Sequence, residues 1–281
     1  MNDVVTPEAI AEVVQRTLAE DVDVRGDATS RAVIPAGTRG RATLVARAPG
    51  VLAGVDVAAE VFRQVDPALV VTWRCADGDR LERGTVIAEI EGPVPSLLTA
   101  ERSALNLLSH CSGVATLTGQ YVDVAAGRTV IRDTRKTTPG LRLLEKAAVR
   151  AGGGENHRMS LSDAVLIKDN HLAHASIADA VARARVMWPD LIVEVECDTI
   201  AQVREARDAK ADLVLLDNMS PSEVATAVAE LADVIPAEVS GGVTLATLDA
   251  YAEARPTYIS VGAITHSAPI LDLALDFDTA Q

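Results

Sequence analysis

From residue 128 to about residue 262 the chain alternates short runs of Val, Leu and Ile with longer helix-forming segments, and this alternation limits the fold more than any other feature. Strand candidates fall at 129–133, 164–168, 192–196, 213–217, 237–240 and 258–262. Their spacing of roughly twenty to thirty-five residues suits βα units and a parallel sheet, because a helix must carry the chain back before the next parallel strand can pair. One helix start is explicit: Ser220, Pro221 and Glu223 supply an N-cap, a first-turn proline and a capping-box carboxylate. Six such units predict an incomplete parallel α/β barrel. A doubly wound open sheet is the alternative.

The region before this alternation reads as a separate α+β unit. Thr6 and Pro7 begin a helix on which Ile10, Val13, Val14 and Leu18 recur at helical spacing. After Gly26 the pattern turns to β-rich runs at 42–46, 69–73 and 85–90, with turns at Asp77-Gly78 and Arg83-Gly84. Residues 96–126 read as helix, with Leu97, Leu105, Leu108, Val114 and Leu117 on the buried side and Gly113 and Gly119 dividing it in two.

Composition narrows the partners. Aromatic residues make up 2% of the 281, so Val, Leu, Ile and Ala must build the core. A formal charge of -14 argues against nucleic acid or an anionic membrane as partner. Cys75, Cys111 and Cys197 are odd in number and widely spaced, which points to reduced thiols and a cytoplasmic protein. No uncharged apolar run is long enough to span a membrane, and Asp3 and Glu8 stand where a signal peptide would be apolar.

Against this acidic background, residues 133–172 gather Arg135, Arg142, Arg150, Arg158, Lys136, Lys146 and Lys168, three of the four lysines in the chain. Such local enrichment points to an anionic ligand; a solvated basic face is the plainer reading. Every strand candidate ends in polar or Gly residues, and in α/β barrels the chemistry sits at those strand ends. Glu194 and Glu196 flank Val195, so both carboxylates share one face of their strand. Ser240, Gly241 and Gly242, then Gly262, occupy the last two strand ends, where barrels often hold phosphate on backbone N–H groups. Lys168 at a strand end also fits a Schiff-base lysine of an aldolase-type barrel, and a non-catalytic sugar-phosphate-binding barrel is a third possibility.

Several segments together resemble one family. ERSALN at 101–106, DTRKTTPG at 133–140, GGGENHR at 152–158, IKDNH at 167–171, EVE at 194–196, LDNM at 216–219 and SGG at 240–242 are similar, in order, to the motifs of quinolinate phosphoribosyltransferase. The resemblance implies an N-terminal α/β sandwich domain over 1–112, an incomplete α/β barrel over 113–266, and a segment 267–281 returning towards the first domain. It implies a homodimer whose active site is shared between subunits. It also implies transfer of phosphoribosyl from phosphoribosyl pyrophosphate to quinolinate with decarboxylation, a pentosyl transfer giving nicotinate mononucleotide for NAD synthesis. Nicotinate or another small anionic ring as acceptor is the nearest alternative.

Residue roles follow from the same resemblance. Arg135, Arg158 and Arg102, the last from the other subunit, are expected on the two quinolinate carboxylates, because guanidinium forks match carboxylates bidentately. His157 lines that pocket, and Lys136 and Lys168 contact phosphate or carboxylate oxygens. Glu196 and Asp217 are expected to hold ribose hydroxyls and Mg2+, while Ser240, Gly241, Gly242 and Gly262 cradle phosphate near His266.

Overall fold

The first helix, α1 (Pro7–Asp21), begins where its cap is written: the Thr6 hydroxyl accepts from the Ala9 backbone N–H at 3.3 Å, and Ile10, Val13 and Val14 are buried. The structure, a computed structural model, describes residues 5–278 except residue 233. Within these the chain forms two compact units, one of residues 5–119, 138–153 and 265–278, the other of residues 120–137 and 154–264.

In the first unit α1 is followed by α2 (Ala28–Val33), β1 (Arg39–Ala46), β2 (Gly50–Val51), α3 (Val55–Val65), β3 (Val70–Trp73), β4 (Arg80–Leu81), β5 (Val86–Pro93) and α4 (Val94–Ala125). The main sheet is antiparallel. β1 lies between β5 and the strand Leu273–Phe277, and β3 flanks β5. Leu44 stands opposite both Ala88 and Leu275, so alternate residues of three strands share one apolar face. That face meets α3 and α4 around Leu44, Ala58, Phe62, Leu105, Leu108 and Leu275. Burying each large aliphatic or aromatic side chain there contributes about 1.5–3 kcal/mol.

α4 corrects one expectation. It runs unbroken for 32 residues through Gly113 and Gly119. A Cβ on Gly113 would lie 2.2 Å from the Pro269 carbonyl oxygen, and one on Gly119 would lie 3.4 Å from Val51 Cγ2. The first glycine therefore serves a close backbone approach, which a sequence pattern does not distinguish from a helix break. The same unit contains α5 (Arg142–Ala151).

The second unit holds the strand–helix alternation. Its strands are β6 (Val130–Arg132), β7 (Val165–Ile167), β8 (Val193–Cys197), β9 (Leu213–Asp217), β10 (Ala237–Ser240) and β11 (Tyr258–Ser260), all within the intervals read from the sequence or displaced by one residue. The helices are α6 (Asp169–Leu172), α7 (Ile177–Met187), α8 (Ile200–Asp208), α9 (Pro221–Leu231) and α10 (Leu245–Glu253). The capping box at Ser220 and Glu223 forms as expected.

The strands pair in parallel in the order β6-β11-β10-β9-β8-β7. A doubly wound sheet would start in the middle and reverse direction. Here five strands succeed one another and β6 joins the far end beside β11, which is the order of a cylinder left open between β6 and β7. Side chains confirm the curvature: Arg132 on β6 reaches Glu238 on β10 at 3.0 Å, and His157 bridges Glu238 to Glu194 on β8. These groups converge from alternate strands, which lie about 9–10 Å apart along a sheet. β6, β8 and β10 thus contribute one interior layer, as alternate strands of α/β barrels do.

Candidate active site

Over that layer, with His157 and Glu238 in its lining, lies a cavity of about 570 Å³ that Arg135, Lys136, Arg158 and Lys168 share with Asp217, Asn218 and residues 240–242. Leu166, Leu215 and Ser260, from β7, β9 and β11, line its depth. The period of two along each strand explains the choice: Leu166 and Lys168, Leu215 and Asp217, Glu238 and Ser240 are successive inward positions.

The two arginines come from loops pinned by carboxylates. Asp133, fully buried at the end of β6, accepts from the His157 backbone N–H at 2.9 Å and from Asn156 Nδ2 at 2.6 Å. Asp163 accepts from the Met159 and Ser160 N–H groups at 2.6 and 2.8 Å, closing the turn after Arg158. Burial pushes the Arg158 guanidinium below its usual pKa and the neighbouring Arg135 charge adds to the effect. A guanidinium held where burial and a neighbouring cation disfavour its charge makes a place that an anion relieves.

Lys168, just past β7, pairs its ammonium with Glu196 of β8. Asp217 ends β9 and accepts from Asn218 Nδ2 at 2.6 Å. Asn218 adopts φ +54° and its N–H donates to the Ser240 carbonyl at 2.9 Å, tying the ends of β9 and β10 together. Gly241 follows with φ +100°, a backbone open to glycine and strained for any other residue. Gly262 lies just beyond β11. Arg102, exposed on α4, and His266, whose Nδ1 is 2.6 Å from Ser267 Oγ, belong to the first unit, whereas the cavity is built from the second alone.

The whole-chain comparisons agree with this geometry. Residues 27–112 match the model of the quinolinate phosphoribosyl transferase N-terminal domain and residues 114–276 that of its C-terminal domain. The chain belongs to the quinolinate phosphoribosyltransferase family. A nicotinate-nucleotide pyrophosphorylase [carboxylating] of Mycobacterium leprae is 43% identical over 96% of this chain and 97% of its own. A quinolinate phosphoribosyltransferase [decarboxylating] of Nicotiana glauca is 40% identical over 95% of this chain and 82% of its own. The solved nicotinate-nucleotide pyrophosphorylase of Francisella tularensis superposes with a TM-score of 0.94 at 38% identity, covering 98% of each chain.

Within this quinolinate phosphoribosyltransferase fold, the basic segment read from the sequence divides between the units. Arg135, Lys136, Arg158 and Lys168 line the cavity, whereas Arg142, Lys146 and Arg150 lie on α5 in the first unit, with Lys146 fully buried. Sequence reasoning missed Arg132, Asp133, Glu238 and Ser260 as parts of the site. Glu238 carried a usable signal, since it stands two residues before Ser240 and shares its face, as Glu194 does with Glu196.

Proposed function

We infer that the chain transfers the phosphoribosyl group of phosphoribosyl pyrophosphate to quinolinate, releasing pyrophosphate and CO2 and giving nicotinate mononucleotide for NAD synthesis. The observation that carries this reading is that Arg135, Lys136, Arg158 and Lys168 line one cavity together with the Ser240–Gly242 turn. Both substrates are anionic and repel each other, so an acidic enzyme needs such a cation cluster to hold them in contact.

In the reaction, the bond from ribose C1 to pyrophosphate breaks with its electron pair leaving on oxygen, and the pyridine nitrogen forms the new bond to C1. The ring becomes cationic. The bond from C2 to its carboxylate then breaks, its electrons remain on C2 beside the positive nitrogen, and a proton completes the product. Arg135, Arg158 and the partner subunit's Arg102 hold the carboxylates, and Lys136 and Lys168 hold anionic oxygens. Ser240, Gly241, Gly242 and Gly262 cradle phosphate near His266, and His157 lines the acid pocket. The protein's contribution is positioning and fixed charge.

Glu196 and Asp217 bring hard carboxylate oxygens from the neighbouring strands β8 and β9, a donor set that fits Mg2+. When bound there with pyrophosphate, the ion supplies positive charge to the leaving oxygens. The same carboxylates orient the ribose hydroxyls. The working form is a homodimer with shared sites, and the three free cysteines fit a reducing cytoplasm. Among the described residues no helix is long and apolar enough to cross a membrane. Incubation with phosphoribosyl pyrophosphate, Mg2+ and quinolinate should release CO2 and form mononucleotide; turnover of nicotinate with equal efficiency would overturn the acceptor assignment.

A further inference from the structure

At the floor of the cavity, which His157 and Glu238 line, four charged side chains meet, two of them buried and two half-buried. His157 Nε2 is 3.0 Å from Glu194 Oε2 and 3.4 Å from Glu238 Oε1. Glu238 is fully buried, accepts from the Ser260 hydroxyl, and takes Arg132 Nη1 at 3.0 Å on its other oxygen. Arg132 is fixed in turn, its guanidinium carbon 3.1 Å from the centre of the Tyr258 ring. One proton is shared between Nε2 and these carboxylate oxygens.

With one proton shared among His157, Glu194 and Glu238 the quartet is neutral. Arg132 offers one cation to two carboxylates, and leaving a buried carboxylate without a counter-charge is costly. An imidazolium at His157 makes the quartet neutral, with two cations on two anions. The ionisable groups packed on His157 include Glu194 from β8, Glu238 from β10, Arg132 from β6 and Asp133 just after it; β7, β9 and β11 present Leu166, Leu215 and Ser260 to the same cavity.

We propose that Glu238, braced by Arg132 and Ser260, is a positioning residue that keeps His157 an imidazolium at neutral pH, so that His157 adds a further fixed cation to the wall that receives the quinolinate carboxylates. Burial taken alone would push the His157 pKa down. The hydrogen bond to Glu194 and the charges of Glu238 and Glu194 outweigh burial and the opposing Arg132, leaving it above 6.5. Burial and the Glu194 charge push Glu238 up, against the pull of His157, Ser260 and Arg132. The two directions describe one proton held between an imidazole and two carboxylates. The inference rests on the quinolinate reading and extends it to a residue that acts through His157.

The test uses the full-length protein with its five histidines labelled, following the His157 ring by NMR across pH and identifying its signal with His157→Gln. Wild-type His157 should titrate above the ordinary histidine range. Glu238→Gln should move that titration down by about one pH unit or more, as expected for removing an opposite charge in contact. Calorimetry should then show quinolinate binding weakened near pH 7.5, by up to about tenfold for each pH unit by which the His157 midpoint has fallen, and restored near pH 6, with phosphoribosyl pyrophosphate binding unchanged. A merely structural role would weaken binding alike at both pH values. If Glu238→Gln does not fold, Ser260→Ala should move the midpoint less, in the same direction. An unmoved His157 titration in a folded variant overturns the proposal, whereas absence of quinolinate turnover in the wild type would instead overturn the reading beneath it.

Discussion

Gly241 rests against Asn218: a Cβ added to Gly241 would lie 2.3 Å from the Asn218 Oδ1 and 2.9 Å from its backbone nitrogen. The contact joins the ends of β9 and β10 and shapes the turn assigned to phosphate. Gly241→Ala must push Asn218 aside and also accept φ +100°. The left-handed backbone alone costs roughly 1–2 kcal/mol. At about 1.4 kcal/mol per tenfold, kcat/KM for phosphoribosyl pyrophosphate should fall about tenfold or more. Steady-state kinetics with quinolinate saturating checks this, and an unchanged KM would remove the turn from the phosphate site.

On the proposed reading, acceptor choice depends on Arg135 and Arg158. Nicotinate carries one carboxylate, so it leaves a desolvated guanidinium without its match, a mismatch that gives discrimination of roughly 10⁴-fold. Arg158→Ala should therefore lower quinolinate turnover far more than any residual nicotinate turnover. Comparing kcat/KM for the two acids in wild type and variant measures it.

A shared site has a complementation signature. Arg102→Ala and Lys168→Ala should each be nearly inactive as homodimers. Mixed dimers should regain up to one competent site if, as proposed, it draws Arg102 and Lys168 from different chains. Activity measured after verified subunit exchange decides the point.

Gly113→Ala reverses a general rule. In an exposed helix interior alanine stabilises relative to glycine by about 1 kcal/mol. Here the added Cβ meets the Pro269 carbonyl at 2.2 Å, and overpacking of this kind costs typically 1–3 kcal/mol. Thermal unfolding should show a lowered midpoint; a raised one would mean the close approach is absent.

The thiols should be inert. Burial, aided by the Asp77 and Glu145 charges, pushes Cys111 up to about 12, and burial with the Asp198 charge pushes Cys197 to about 12. Burial and the Asp79 charge raise Cys75 as well, though that residue is partly exposed. Below those values the thiolate nucleophile is scarce. Iodoacetamide near pH 8 should label at most Cys75 in the native protein and all three cysteines after unfolding, as read by mass spectrometry.

The barrel strands were legible because Leu213–Asp217 and Ala237–Ser240 are short aliphatic runs ending in polar residues, and that pattern is local. The capping box at Ser220 is local for the same reason. The continuity of α4 was not legible, because the reason for Gly113 is a backbone far along the chain. Nor was the division of the basic segment, since Lys146 and Arg158 read alike until α5 is placed in the other unit. The Arg132, Glu238 and His157 network needs β6, β8 and β10 to face one another across a barrel. Strand pairing follows from chain order in such a fold, but interior layers follow from its curvature.

The most direct measurement follows the 2-carboxylate of quinolinate through a single turnover. With isotope in that group alone, and with phosphoribosyl pyrophosphate and Mg2+ present, label should leave as CO2 in equal amount with the nicotinate mononucleotide formed. No label should leave when phosphoribosyl pyrophosphate is omitted. Label retained in the mononucleotide, or released without the phosphoribosyl donor, would contradict the account.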